Sequence, residues 1–131
     1  MANEHNKILI AEDEKSIAHA YGEYLGRRGY LMEYAYDGEE ALVKTKSFEP
    51  DLILLDIVMP KLDGISVLKK LKEDKDMDNI PVIVLTNLES AKSAEEAFEA
   101  GTSQYLVKTN YSLDDIVDKV KETLKETYHG M

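Results

Sequence analysis

Residues 52–64 read LILLDIVMPKLDG, a run of four apolar residues that ends at the acidic residue Asp56. Two further runs, Ile8–Ala11 (ILIA) and Val82–Leu85 (VIVL), are also continuously apolar. Strands of a parallel sheet that is covered on both faces have this pattern, whereas half-solvated strands alternate apolar and polar residues. Weaker apolar runs occupy Tyr30–Tyr34 and Tyr105–Val107. The sequence therefore predicts five strands, three of them in the centre of a parallel sheet.

Amphipathic helical patterns separate these runs. The first closes at Gly29 and the fourth at Gly101, because glycine is favoured just beyond a helix C-terminus. The last is the clearest: Ser112 and Asp115 form a predicted capping box, and apolar residues recur at helical spacing from Leu113 to Leu124. Five strands alternating with five helices predict an α/β fold, (βα)5, with a doubly wound parallel sheet.

Length and charge restrict the class of protein. The chain has 131 residues, which suits one domain, and we expect a single domain over residues 1–131 with its core at about 6–128. A net charge of −10 disfavours binding to nucleic acid or to anionic lipid. The chain has no cysteine and no apolar run that approaches the ~20 residues of a membrane span. We therefore expect a soluble, cytoplasmic protein.

Charged and hydroxyl side chains follow the apolar runs. Glu12 and Asp13 follow the first run, Asp56 the third, Thr86 the fourth and Lys108 the fifth. If the first and third strands are neighbours, the carboxylates meet at one sheet edge, where they repel one another unless a cation lies among them. Carboxylate ligands with room for water favour Mg²⁺ over zinc or copper. A carboxylate nucleophile with a metal, a hydroxyl and an ammonium nearby suits phosphoryl transfer.

These residues resemble a known family. Glu12-Asp13, Asp56 within LILLDIVMP, Thr86 within VIVLT and Lys108 are similar to the signature of response-regulator receiver domains, the phosphoacceptors of two-component signalling. The pair Asp63-Gly64 after Met-Pro adds to the match. The resemblance implies the flavodoxin-like fold of that family, with strand order 2-1-3-4-5, and a phosphoacceptor rather than an enzyme.

The resemblance also implies a magnesium site. By this resemblance, Asp56 is the phosphorylation site, Asp13 ligates Mg²⁺ directly and Glu12 ligates it through water. Asp56 and the backbone carbonyl of Val58 complete the protein ligands. Glu14, in contrast, is interpreted as a surface acid that is favoured near a helix N-terminus.

Further roles implied by the resemblance concern switching. Lys108 would pair with the phosphoryl oxygens, Thr86 would move to hydrogen-bond the phosphoryl group, and Tyr105 would be a rotating aromatic residue. The output surface would be the face of helix 4, strand 5 and helix 5, at about Ser90–Tyr128. The expected partners are a sensor histidine kinase or histidine phosphotransfer protein and a downstream protein target or effector domain, with a homodimer through the last face as a further alternative.

Two departures from the family pattern and two variable positions carry their own expectations. Thr109 replaces the proline that usually follows the lysine, so the loop near Lys108 is expected to differ, and Asn87 replaces a small residue beside the site. Val58 and Leu88 are apolar where polar side chains could orient an attacking water. We therefore hypothesise slow self-dephosphorylation.

Other interpretations of the same residues remain. The acids after the first strand could be first-turn helix acids, Thr86 a strand-end hydroxyl and Lys108 a solvated surface residue. A Mg²⁺-dependent phosphohydrolase would need a second acid where Val58 stands, and a flavin module would need a phosphate loop where the acidic AEDEKS occurs. No effector domain is expected within these 131 residues, so the chain is either a stand-alone regulator or the receiver of a longer protein.

Overall fold

The computed structural model describes residues 6–129, with side chains described as far as residue 125. Within that span, five strands alternate with five α-helices. The strands are β1 (Lys7–Ala11), β2 (Leu31–Ala35), β3 (Leu52–Leu55), β4 (Val82–Thr86) and β5 (Gln104–Val107). The helices are α1 (Lys15–Gly26), α2 (Gly38–Phe48), α3 (Gly64–Glu73), α4 (Ala91–Glu99) and α5 (Leu113–His129), with a 3₁₀ turn at Lys108–Asn110. Residues 1–5 and 130–131 of the expected domain lie outside the described residues.

The strands form one sheet in the order β2-β1-β3-β4-β5, and every neighbouring pair is parallel. This confirms the predicted fold class and strand order. The register pairs Ala11 with Leu55 and Thr86 with Val107. The residues that follow these positions therefore leave the sheet at one edge, which is where the predicted site residues are found.

Helices cover both faces of the sheet, which explains the continuously apolar strands. On one face, Leu9, Ile53 and Val84 pack with apolar residues of α2, α3 and α4. On the other face, Leu54 and Ile83 pack with α1 and α5. All residues of β3 and β4 are buried, because neither face of these strands meets solvent.

Two helix ends differ from the prediction and one helix start confirms it. The helix α1 ends at Gly26 rather than at Gly29, and Gly29 lies in a following turn with a φ of 98°. The helix α4 ends at Glu99, two residues before Gly101. At the start of α5, the backbone N–H of Ser112 donates to Asp115 Oδ2 at 2.9 Å and the backbone N–H of Asp115 donates to Ser112 Oγ at 3.1 Å.

None of the helices within residues 6–129 has both the length and the apolar character that a bilayer-crossing helix requires.

Candidate functional site

The carboxyl edge of the sheet brings three acids together. Glu12 and Asp13 follow β1 and Asp56 follows β3, and one carboxylate oxygen from each lies within 4.8 Å of the others. An open groove of about 370 Å³ lies over this edge. The groove is lined by Asp13, Glu14, Asp56, Val58, Thr86, Asn87, Leu88 and Lys108. Adjacent parallel strands thus place distant carboxylates side by side, as the strand-end pattern predicts.

Asp56 is held by its own backbone and by a cation. Its backbone N–H donates to the carbonyl of Ala11 at 3.0 Å, which continues the β1–β3 pairing by one residue. Its Oδ1 accepts from the backbone N–H of Val58 at 3.3 Å, and its Oδ2 accepts from Lys108 Nζ at 3.1 Å. Although Asp56 is only 8% exposed, it lines the groove. The carboxylate therefore has a fixed orientation and an open approach.

The pair Asp63-Gly64 brings α3 against the backbone of Asp56. Asp63 caps the helix by accepting from the backbone N–H of Ser66 at 2.9 Å. The backbone N–H of Gly64 donates to the carbonyl of Ile57 at 2.8 Å. A Cβ atom at Gly64 would lie 2.3 Å from the carbonyl oxygen of Asp56, closer than any non-bonded contact allows. This approach requires glycine and sets the path of the chain after Asp56.

Lys108 is the cation among the carboxylates. Its Nζ donates to Glu12 Oε1 and to Asp56 Oδ2, and its side chain is 9% exposed. Burial alone would lower the pKa of Lys108, but the hydrogen bonds and charges of Glu12 and Asp56 outweigh burial and raise it. Burial raises the pKa of Glu12, and Lys108 offsets part of that rise. Lys108 is thus a charged, oriented donor and not a solvated surface lysine.

The two acids that follow β1 differ in accessibility. Glu12 is 3% exposed and is engaged, because its Oε1 pairs with Lys108 and its Oε2 accepts from the backbone N–H of Glu14 at 3.0 Å. Asp13 is exposed and faces the groove. Glu14 is exposed as predicted, although it also lines the groove. Asp13 is therefore the more accessible carboxylate of this pair.

Comparisons with known proteins agree with this geometry. The family model for the response regulator receiver domain matches residues 8–121. The chain belongs to the response regulator receiver family. Receivers are signalling domains of two-component systems with a general phosphoacceptor role, rather than classical enzymes.

Individual relatives support the same assignment. Response regulator MprA from Mycobacterium ulcerans (strain Agy99) is 32% identical over 121 residues, which are 92% of this chain and 51% of that protein. The chain thus spans about half the length of the curated relatives it matches. The receiver domain of the Francisella response regulator 1452 superposes with a TM-score of 0.84 at 36% identity, covering 93% of this chain and 98% of that one.

A second solved receiver, the CheY-like response regulator receiver domain protein from Methanospirillum hungatei JF-1, superposes with a TM-score of 0.90 at 27% identity. The match covers 96% of this chain and 98% of that one. These receivers share the fold over nearly the whole of the described residues.

In this receiver, Thr86 and Tyr105 both contact Leu88. Thr86 is fully buried, and its Oγ1 accepts from the backbone N–H of Leu88 at 3.3 Å. The hydroxyl of Tyr105 donates to the carbonyl of Leu88 at 2.7 Å, and burial raises its pKa. The segment between β4 and α4 therefore connects the groove to an aromatic side chain on β5. Thr86 is near the site as predicted, and the contact through Leu88 was not predicted.

Tyr21 is a residue near the receiver site that the sequence interpretation did not assign to it. It is half-buried on α1 and lines a narrow void together with Glu12, Asp56 and Lys108. Burial raises its pKa, and the charge of Lys108 opposes this rise. Tyr21 lies on the apolar face of α1, so helical periodicity predicts its burial but not its position beside Glu12 and Asp56.

Proposed function

We propose that this chain accepts a phosphoryl group on Asp56 from a phosphohistidine of a sensor histidine kinase or a histidine phosphotransfer protein. One observation carries the proposal: the Asp56 carboxylate lines an open groove, with Lys108 Nζ at 3.1 Å and two further carboxylates within 4.8 Å. A carboxylate so placed is an accessible nucleophile whose developing charge has a cation beside it.

The donor set fits Mg²⁺. Three carboxylates converge, but within the described residues Lys108 is the cation that pairs with them, and it contacts only Glu12 and Asp56. Asp13 would ligate the ion directly, Glu12 through water because Lys108 already holds it, and Asp56 and the carbonyl of Val58 would complete the set. When bound, Mg²⁺ supplies positive charge that offsets the repulsion between the acids and the incoming phosphoryl group.

The chemical step needs little from the protein beyond positioning. An Asp56 carboxylate oxygen attacks the phosphorus of the phosphohistidine, the new P–O bond forms as the P–N bond breaks, and the imidazole leaves. Lys108 shifts part of its hydrogen bonding from Asp56 to the phosphoryl oxygens. The backbone N–H of Val58 keeps the carboxylate oriented, since it already donates to Oδ1.

Phosphorylation would switch the face formed by α4, β5 and α5, at about Ser90–Tyr128. The phosphoryl group adds roughly −1.5 to −2 charge and new acceptor oxygens. Thr86 would exchange its contact with the Leu88 N–H for a hydrogen bond to the phosphoryl group, and Tyr105 would follow through its own contact with Leu88. This biases a pre-existing equilibrium between two arrangements of the segment before α4.

The downstream partner, the domain context and the cellular location of this receiver are proposed from its family. A downstream protein target or an effector domain would read the switched face, and a homodimer through that face is a further form of the same output. Because the relatives are about twice as long, residues 1–131 are proposed as one receiver domain, either independent or part of a longer regulator. A cytoplasmic location fits a phosphohistidine donor.

We further propose that the acyl phosphate is long-lived. Val58 is 63% exposed at the groove, and Leu88 lines the same groove. Apolar side chains at these positions offer a water molecule no hydrogen bond that would orient it toward phosphorus.

The test is phosphorylation by acetyl phosphate, followed by intact-mass measurement. The wild type is expected to gain one phosphoryl group in the presence of Mg²⁺ and none with a chelator. Asp56→Asn should gain none, whereas Asp76→Asn, which changes an exposed acid in the loop after α3, should behave like the wild type. Equal uptake by Asp56→Asn would overturn the proposal.

A further inference from the structure

A shallow groove lies between α2 and α3, at the edge of the sheet opposite Asp56. It has a volume of about 650 Å³ and is formed by the C-terminal halves of the two helices and the loop that follows α3. Its apolar part consists of Leu42, Val43 and Met77. Val43 is 67% exposed on α2, so part of this apolar surface meets solvent rather than the core.

Lysines surround the apolar part. Lys46, Lys70 and Lys75 line the groove, and residues 69–75 read KKLKEDK within a chain of net charge −10. Lys70 and Lys75 are exposed and have no carboxylate within 4.0 Å among the residues whose side chains are described. Lys46 has one partner, Asp74, at that limiting distance.

The acidic residues that line the groove neutralise only part of the positive charge of these lysines. Asp74 Oδ1 accepts from the backbone N–H of Asp76 at 2.8 Å, and its Oδ2 is the oxygen near Lys46. Glu73 also lines the groove and is exposed. Three lysines and two acids therefore line the groove around its apolar centre, a small positive excess on a protein of net charge −10, and the side chains of Lys70 and Lys75 are available for a partner.

We propose that this groove docks an acidic segment of a partner protein. One apolar side chain of the segment would lie over Val43 and the adjoining Leu42 and Met77, and flanking carboxylates would pair with Lys70 and Lys75. Complementary charge selects an acidic segment here, and the apolar contact adds the buried area that exposed ion pairs alone do not supply. A nucleic acid is disfavoured because three lysines cannot offset repulsion by the remaining net charge.

This docking surface is independent of the phosphoacceptor site. Helices of this fold run opposite to the strands, so their C-terminal halves lie at the edge away from Glu12, Asp13 and Asp56. The proposal therefore does not rest on the proposed function, and Asp56→Asn is expected to bind the segment as the wild type does.

The test uses an array of acetylated peptides composed of Asp and Glu with a single Phe, Leu or Met. Backbone amide shifts of the ¹⁵N-labelled protein are recorded as each peptide is added. At least one peptide is expected to bind saturably and to shift amides at 42–46 and 70–77. Lys70→Glu/Lys75→Glu should raise the Kd of that peptide by about tenfold or more, and Val43→Ser should do the same. Added salt should weaken binding of the peptide to the wild type.

The matched control is Lys92→Glu/Lys121→Glu, which makes the same charge change at two exposed lysines on α4 and α5. This variant should bind the peptide nearly as the wild type does. Equal weakening in both double variants would show a non-specific charge effect and overturn the proposal. Failure of every peptide to shift the groove amides, or tighter binding of an oligonucleotide of matched charge, would do the same.

Discussion

Replacing Gly64 by alanine tests the contact between α3 and the phosphoacceptor backbone. The new Cβ would lie 2.3 Å from the carbonyl oxygen of Asp56, 2.8 Å from Ile57 Cα and 3.0 Å from Asp56 C. Ordinary C···O contacts are about 3.3 Å, so the start of α3 and the backbone of Asp56 must move apart by about 1 Å. All three neighbours are backbone atoms and cannot rotate away. Overpacking of this kind costs typically 1–3 kcal/mol, and helix propensity returns at most about 1 kcal/mol.

We therefore expect Gly64→Ala to lower the free energy of unfolding by about 2 kcal/mol. With a urea m-value of about 1–3 kcal/mol/M, the urea midpoint should fall by roughly 0.7–2 M. The rate of phosphorylation by acetyl phosphate should fall as well, because the displaced backbone belongs to Asp56.

Gly26→Ala is the matched control. It makes the same chemical change at the last residue of α1, where the nearest atom to a new Cβ is Met32 Cγ at 3.7 Å, an ordinary contact. Alanine there should stabilise the protein by about 0.4–1 kcal/mol, because it restricts the unfolded chain. A Gly64→Ala protein whose urea midpoint equals or exceeds that of the wild type would refute the packing argument.

Two further predictions concern Lys108 and Val58. Lys108→Met should destabilise the metal-free protein by about 3 kcal/mol, since it leaves Glu12 and Asp56 without their cation, and Mg²⁺ should restore part of the loss. The folded protein raises the pKa of Lys108 above its usual 10.5. The wild type should therefore exceed Lys108→Met in free energy of unfolding below pH 10.5, and this difference should shrink as pH rises through the raised pKa. A difference in free energy of unfolding that stays constant across that pH range would contradict the ion pair. Val58→Asn should speed loss of the acyl phosphate, followed by intact mass, by about tenfold or more, and an unchanged decay would remove the water-exclusion argument.

The parallel sheet was predictable because burial on both faces leaves a direct mark on sequence. Leu52–Leu55 and Val82–Leu85 have no polar position, and the structure buries each of these residues. The convergence of Asp13 and Asp56 was predicted on the condition that the first and third strands are neighbours, and that strand order came from the family resemblance. The start of α5 was predictable for a local reason, since Ser112 and Asp115 satisfy each other's backbone donors.

Other features depend on contacts that no local pattern records. The pairing of Lys108 with Glu12 joins residues 96 positions apart and depends on how a flexible side chain is held. The contacts of Thr86 and Tyr105 with Leu88 use its backbone atoms, so the identity of the side chain gives no signal. The end of α1 was predicted too late because Gly29 marks the end of the following turn rather than the end of the helix.

The most direct test of the central claim is chemical localisation of the phosphoryl group. After treatment with acetyl phosphate and Mg²⁺, borohydride reduction converts an aspartyl phosphate to homoserine, which peptide mass spectrometry locates in the sequence. Homoserine is expected at Asp56 and at no other carboxylate, in a yield that rises with the concentration of Mg²⁺. Homoserine at Asp13 or elsewhere, or unmodified Asp56 in protein that has gained a phosphoryl group, would contradict the claim that Asp56 is the phosphoacceptor.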